Sequence, residues 1–103
     1  MRIIKERTLL DYVNQVRYKV AREAVQVWMS EVRYYKWTNP AELKVNYRSA
    51  SIIGRNRVVF NIKGNEFRLV VDVIYRYGII YVIWFGSHAE YDKIDVKKIK
   101  YGD

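Results

Sequence analysis

The sequence predicts an α+β fold: two amphipathic helices on one face of a small antiparallel sheet, with a short helical turn near the C-terminus. Three observations lead there. Apolar residues recur at spacings of three and four through the first third of the chain, they alternate along the strand axis between Val58 and Phe85, and glycine-containing turns interrupt that alternation. The chain has 103 residues, half of them hydrophobic. That is enough for one core and too little for two, so residues 1–103 are read as a single domain.

Thr8 followed by Asp11 has the spacing of a capping box, and Leu9, Val13, Val16 and Val20 then mark one helical face. The pattern continues through Ala21, Ala24, Val25, Trp28, Val32 and Tyr35 without glycine or proline. Periodicity alone fits one long helix or two shorter ones, and the modest size of the domain favours an antiparallel pair broken near Tyr18 to Ala21. Asn39-Pro40 ends the helical region, because the proline ring disfavours helical geometry at the residue before it; a loop or short helix follows. Val58, Phe60 and Ile62 alternate with Val59, Asn61 and Lys63, and the alternation resumes at Phe67, Leu69, Val71 and Val73. Between them, Gly64-Asn65 suits a hairpin turn with a positive backbone angle at Gly64 and another tolerated at Asn65. A second turn at Tyr77-Gly78 leads into a third strand, Ile79 to Phe85. Ser87 and Glu90 repeat the capping-box spacing, predicting a short helix over His88 to Lys93. The tail, Ile94 to Asp103, alternates lysine with apolar residues too loosely to assign.

The formal net charge is +8, from 19 basic and 11 acidic residues, which favours polyanionic partners. Between Leu43 and Asn65 stand Lys44, Arg48, Arg55, Arg57 and Lys63 with no acidic residue, so this stretch is read as an RNA-binding surface, with a merely solubilising face as the alternative. Cysteine is absent, which excludes disulfides, thiolate zinc sites and cysteine nucleophiles. No stretch has signal-peptide or membrane-span character, and the protein is expected in the cytoplasm. HExxH, Walker and Gly-x-Ser-x-Gly motifs are missing too, so metal hydrolysis, nucleotide hydrolysis and serine chemistry find no support.

A helix pair covers one sheet face and leaves the other open. Alternation places Arg68 on that open face, where a guanidinium can hold a phosphate by two hydrogen bonds; pairing with Asp72 along the same strand is the competing reading. His88 is the only histidine. Histidine is the side-chain type that both gives and takes a proton near neutrality, although a lone histidine is often structural. From the first position of a helix it projects on the same side as Tyr91 and Asp92, with Lys93 beside them. Cleavage of RNA by its own 2′-hydroxyl needs a base, an acid and cations to steady the charged phosphorane, and needs no metal or other cofactor. His88, Tyr91, Arg68 and Lys93 supply those parts. Of the aromatic residues, Trp28, Trp84, Phe60 and Phe67 suit a core, whereas Tyr47, Tyr77 and Tyr91 are placed to touch RNA.

Three segments resemble the HigB-type toxins, a branch of the RelE-like messenger RNA interferases. They are Trp37-Thr38-Asn39-Pro40-Ala41-Glu42-Leu43-Lys44, the run from Val59 to Val70 and the run from Gly86 to Asp95, in order along most of the chain. Ser87 replaces the threonine common in relatives and keeps the capping hydroxyl. The resemblance implies two helices on a curved antiparallel sheet, a HigA-type helix-turn-helix antitoxin as partner, and metal-independent cutting of messenger RNA in the ribosomal A site. It also implies that Asn65, Arg68, His88, Tyr91 and Lys93 form the working site. A non-catalytic nucleic-acid-binding module using the same basic surface is the alternative, and a protein whose charge simply matches an acidic partner is a third.

Overall fold

The computed structural model describes residues 1–101; the last two residues of the tail, Gly102 and Asp103, lie outside the described residues. Five strands, β1 (Arg2–Ile4), β2 (Ser51–Ile53), β3 (Arg57–Ile62), β4 (Phe67–Ile74) and β5 (Ile79–Ser87), form one open sheet in the order β1-β5-β4-β3-β2. The three long strands are those that alternation and turn residues announce, and they pair antiparallel. Ile62 faces Phe67 across the first hairpin, and the Glu66 amide closes its turn on the Lys63 carbonyl at 3.3 Å. Gly64 has the expected positive φ of 66°, but the second left-handed residue is Lys63, φ 53°, and not Asn65. The second hairpin turns through a 3₁₀ segment, Tyr75–Tyr77, and Gly78 at φ 66°.

Two strands are additions to the predicted three. β1 pairs with β5 in parallel, so the sheet is mixed and not wholly antiparallel as expected. β2 extends the opposite edge against β3. Both have three residues, too few for alternation to register.

The helical region does break, but earlier than the Tyr18 to Ala21 stretch the sequence suggests: the first helix ends at Val13, and Val16 and Val20, expected on its apolar face, are exposed. Helix α1 (Glu6–Val13) is followed by a 3₁₀ segment, Val16–Ala21, and then by α2 (Arg22–Tyr34). Thr8 does not cap α1. The helix begins at Glu6 behind Lys5, whose left-handed φ of 68° turns the chain out of β1, and the Thr8 hydroxyl instead meets the Tyr101 hydroxyl at 3.1 Å. Asn39 and Pro40 start a third helix, α3 (Pro40–Asn46), where the Asn39 side chain accepts from the Glu42 amide at 3.0 Å. Among the described residues no helix is long and apolar enough to cross a membrane.

The main core joins Leu9 and Val13 of α1, Val25, Trp28 and Val32 of α2 and Leu43 of α3 to one set of strand residues, Val58, Phe60, Phe67, Leu69, Val71, Val82 and Phe85 among them. Trp28, Phe60 and Phe67 therefore sit where the sequence places them. Trp84 does not. A bulge opposite Val70 and Val71 pairs Val70 with Trp84 and Val71 with Val82, and Ile83 is the extra residue. Trp84 joins a second, smaller cluster of Val59, Val70 and Ile83, against which Tyr91, Val96 and Ile99 also pack. The face expected to be open is thus partly covered by the tail.

Candidate active site at the outer sheet face

Strand alternation puts Arg57 of β3 and Arg68 and Asp72 of β4 on the face opposite the main core. The register pairs Arg57 with Asp72 across the two strands. Arg57 Nε donates to Asp72 Oδ1 at 2.6 Å and Nη2 to Oδ2 at 3.1 Å, while Nη1 donates to the carbonyls of Val96 and Ile99 at 2.9 and 2.6 Å. This arginine clamps the tail onto the second cluster. Because Asp72 is occupied by Arg57, the competing reading that paired it with Arg68 does not hold.

Arg68 lies at the other end of that face and is buried, only 8 % exposed, where the sequence suggested a freely exposed position. Nη1 donates to the carbonyls of Asn65 and Phe67, both at 3.1 Å, and Nη2 donates to Asn65 Oδ1 at 2.7 Å. All three partners are neutral. Among the described residues no carboxylate forms an ion pair with Arg68, and its guanidinium stands 5.9 Å from the centre of the Tyr91 ring. A buried charge satisfied only by dipoles is costly, typically by several kcal/mol, and its natural complement is an anion.

A four-residue helix, α4 (His88–Tyr91), carries the second half of the site. Its capping box is complete: the Glu90 amide donates to Ser87 Oγ at 3.1 Å, and the Ser87 amide donates to Glu90 Oε1 at 2.8 Å. The His88 amide donates to the Glu66 carbonyl at 2.9 Å, which ties the start of α4 to the turn that holds Asn65. His88 keeps 45 % of its side chain exposed, with Nε2 3.6 Å from Asp92 Oδ1. Burial raises the Tyr91 hydroxyl above its ordinary value against the opposing effect of Arg68, so it stays protonated at neutral pH.

Glu90 holds this helix to the rest of the protein. Its Oε1 also accepts from the Tyr18 hydroxyl at 2.7 Å, and its Oε2 from Arg17 at 3.3 Å. Burial alone raises its carboxyl, but the bonds from Ser87 and Tyr18 and the Arg17 charge outweigh that and hold it below the usual range. Tyr18 is pushed up to about 12 by burial and by Glu90. Gly86, opposite Arg68 in the register, leaves room for the Trp84 ring, which a Cβ there would meet at 2.4 Å. Sequence reasoning missed Tyr18, Trp84 and Gly86. Only Glu90 carried a local signal, as the N3 residue of the capping box.

The structure therefore brings Asn65, Arg68, His88 and Tyr91 to one end of the outer face. Lys93 follows α4, exposed, with its amide on the Glu90 carbonyl. Lys63 shares the Asn65 turn and lies 3.4 Å from Glu66. Elsewhere stand Lys44, whose ammonium donates to the carbonyls of Arg48 and Ala50 at 2.7 and 2.6 Å, and Arg48 and Arg55, both exposed. Tyr47, placed by sequence in an RNA-facing loop, is half-buried; its ring packs on Phe60 at 5.1 Å and its hydroxyl donates to Glu31 at 2.7 Å. Tyr77 is exposed, but at the far end of β4. Among the described residues no three His, Asp or Glu side chains cluster as a metal site would require.

No curated protein matches the chain. A family model does: that of HigB_toxin, the RelE-like toxic component of a toxin–antitoxin system, over residues 21–94, a span that contains Asn65, Arg68, His88, Tyr91 and Lys93. With most of its length matched, the chain belongs to the HigB family of RelE-like toxins.

Proposed function

We propose that this toxin is a metal-independent endoribonuclease that cleaves messenger RNA in the ribosomal A site, and that a HigA-type helix-turn-helix antitoxin restrains it in the cytoplasm. In this reading residues 1–103 form one toxin domain whose helices and curved sheet follow the RelE-like arrangement. The observation that carries the nuclease reading is the buried guanidinium of Arg68, which among the described residues has neutral partners only and faces Tyr91 at the end of the sheet where α4 begins.

A backbone phosphate seated on Arg68 brings the neighbouring 2′-hydroxyl within reach of α4. The 2′-oxygen bonds to phosphorus as its proton leaves, the bond from phosphorus to the 5′-oxygen breaks, and that oxygen takes up a proton; the products are a 2′,3′-cyclic phosphate and a free 5′-hydroxyl. His88 exchanges protons in this sequence, with Asp92 orienting its ring. Tyr91, kept neutral, donates a hydrogen bond to the phosphorane or to the leaving oxygen. Arg68, with Lys93 at the rim, offsets the charge that develops on phosphorus. Asn65 fixes the Arg68 fork, and Lys63, Arg48 and Arg55 hold flanking phosphates. Lys44, engaged with main-chain carbonyls, takes the smaller part in RNA binding, and Arg57, held by Asp72 and the tail, takes none.

The test is to express wild type, His88→Ala and Arg68→Ala from a tightly repressed promoter and map the 5′ ends of a reporter message. Cuts with wild type that vanish in both variants are the expected result. Growth arrest with intact messages would instead favour a binding module without catalysis.

A further inference from the structure

At the end of the molecule away from Arg68, a cleft of about 410 Å³ opens beside β1, lined by Met1, Arg2, Arg33, Lys36, Trp37 and Tyr75 among others. Its volume is in the range of built ligand sites. Arg68 and Tyr75 are separated by the length of β4, roughly 20 Å at about 3.3 Å per residue, so whatever fills the cleft leaves the candidate active site free.

The cleft joins an apolar interior to a rim of one sign. Trp37 is fixed in place: its Nε1 donates to Asn46 Oδ1 at 2.8 Å, and its ring stacks on Tyr35 at 5.4 Å. The rim carries Arg2, Arg33 and Lys36, and no carboxylate is among the lining residues. Arg33 is paired with Glu6, whereas Arg2 and Lys36 are exposed and have no side-chain partner among the described residues. Tyr75 lines the cleft, its own hydroxyl buried and without a hydrogen-bond partner among the described residues.

From this we infer that the cleft docks an acidic peptide segment of the antitoxin, a large aliphatic or aromatic side chain entering it while flanking carboxylates meet Arg2 and Lys36. Charge complementarity selects the occupant. A second copy of this chain brings the same +8 charge and is repelled. RNA is also anionic, but Trp37 is buried and stacked on Tyr35, so it offers no open ring face to an unpaired base. A preformed apolar pocket ringed by cations suits a peptide anchor with an acidic border. The inference uses the antitoxin that membership of the family implies and does not depend on the proposed nuclease chemistry.

The full-length toxin and the purified antitoxin from the same locus provide the test, by calorimetric titration at low and high salt. The Arg2→Glu/Lys36→Glu double variant should melt like wild type and bind the antitoxin at least tenfold more weakly, with a shallower salt dependence. Lys36→Glu alone should show an intermediate loss, which guards against a folding defect in the double variant. Affinity within twofold of wild type in a folded double variant overturns the inference. So does a selective loss of binding to a 2′-O-methyl RNA oligonucleotide with antitoxin affinity unchanged, or self-association of wild type that the double variant abolishes. Failure of the nuclease reading would appear in Arg68→Ala cleavage and leave these affinities untouched.

Discussion

Arg57 and Arg68 project from neighbouring strands onto the same face of the sheet, and the protein uses them in opposite ways. Arg57 meets a carboxylate and two tail carbonyls, so its charge is compensated and most of its donors are engaged. Arg68 is more deeply buried, yet among the described residues it hydrogen-bonds only to the carbonyls of Asn65 and Phe67 and the Asn65 amide oxygen. The first arrangement belongs to folding: it fastens a segment that has little else to hold it. The second keeps a cation desolvated, oriented and, among the described residues, without a counter-ion, as an anion site requires. The difference teaches that burial of an arginine does not by itself separate structure from function. The charge of its partners does.

The strongest way to break this comparison is to remove each arginine in turn. Arg68→Ala should lower single-turnover cleavage of ribosome-bound message by about 10²–10³-fold while leaving thermal stability near wild type, because the substitution removes an uncompensated buried charge. Arg57→Ala should do the reverse. Stranding Asp72 and releasing the tail should cost about 3 kcal/mol in urea unfolding, with the cleavage rate of the folded fraction within about threefold of wild type.

Smaller substitutions sharpen the same contrast. Tyr91→Phe should slow cleavage by about tenfold without altering the melt, since it removes one hydrogen bond to a charged group and keeps the ring beside Arg68. Glu90→Gln should lower stability by about 1 kcal/mol at pH 7 and make the protein less sensitive to acid. The folded Glu90 carboxyl is held below its ordinary value of 4.5, so its ionised form contributes stability that is complete above the usual carboxylate range and is lost as pH falls through the depressed folded value. Tyr18 works in the opposite direction, since its raised hydroxyl contributes stability that fades as pH climbs from 10 to about 12. Urea unfolding of wild type and Glu90→Gln at pH 7 and pH 4 checks the first sign, and alkaline unfolding of Tyr18→Phe checks the second. Least of all, Arg48→Ala and Arg55→Ala should each weaken RNA binding by about two- to threefold and reduce the salt slope by about one, as expected for loss of a single phosphate contact.

What the sequence revealed and what it concealed divide along local and non-local lines. The hairpins were legible because Gly64 and Gly78 occupy positive-φ positions between alternating strands, and α4 because Ser87 and Glu90 cap each other within one turn. Alternation also put Arg68 on the correct face. It did not disclose the cover: Val96 and Ile99 pack on Val59, Val70 and Ile83 through contacts separated by tens of residues, and Arg57 holds them there. Counting back from the Gly64 turn would have paired Arg57 with Asp72 and removed the Arg68–Asp72 alternative. The capping box at Thr8 misled because β1 and left-handed Lys5 set the start of α1. The bulge at Ile83 turned Trp84 outward, a shift that alternation cannot foresee. Tyr18 and Glu90 are 72 positions apart, and no local pattern joins them.

The central claim is that the guanidinium of Arg68 receives the backbone phosphate of the transcript. Its most direct test is to follow the arginine side-chain Nε–H resonances by NMR while titrating the toxin with a 2′-O-methyl RNA oligonucleotide, which binds but lacks the attacking hydroxyl. The account predicts a saturable shift of the Arg68 resonance, with that of Arg57 unmoved. A shift confined to surface arginines, with Arg68 silent at saturation, would contradict it.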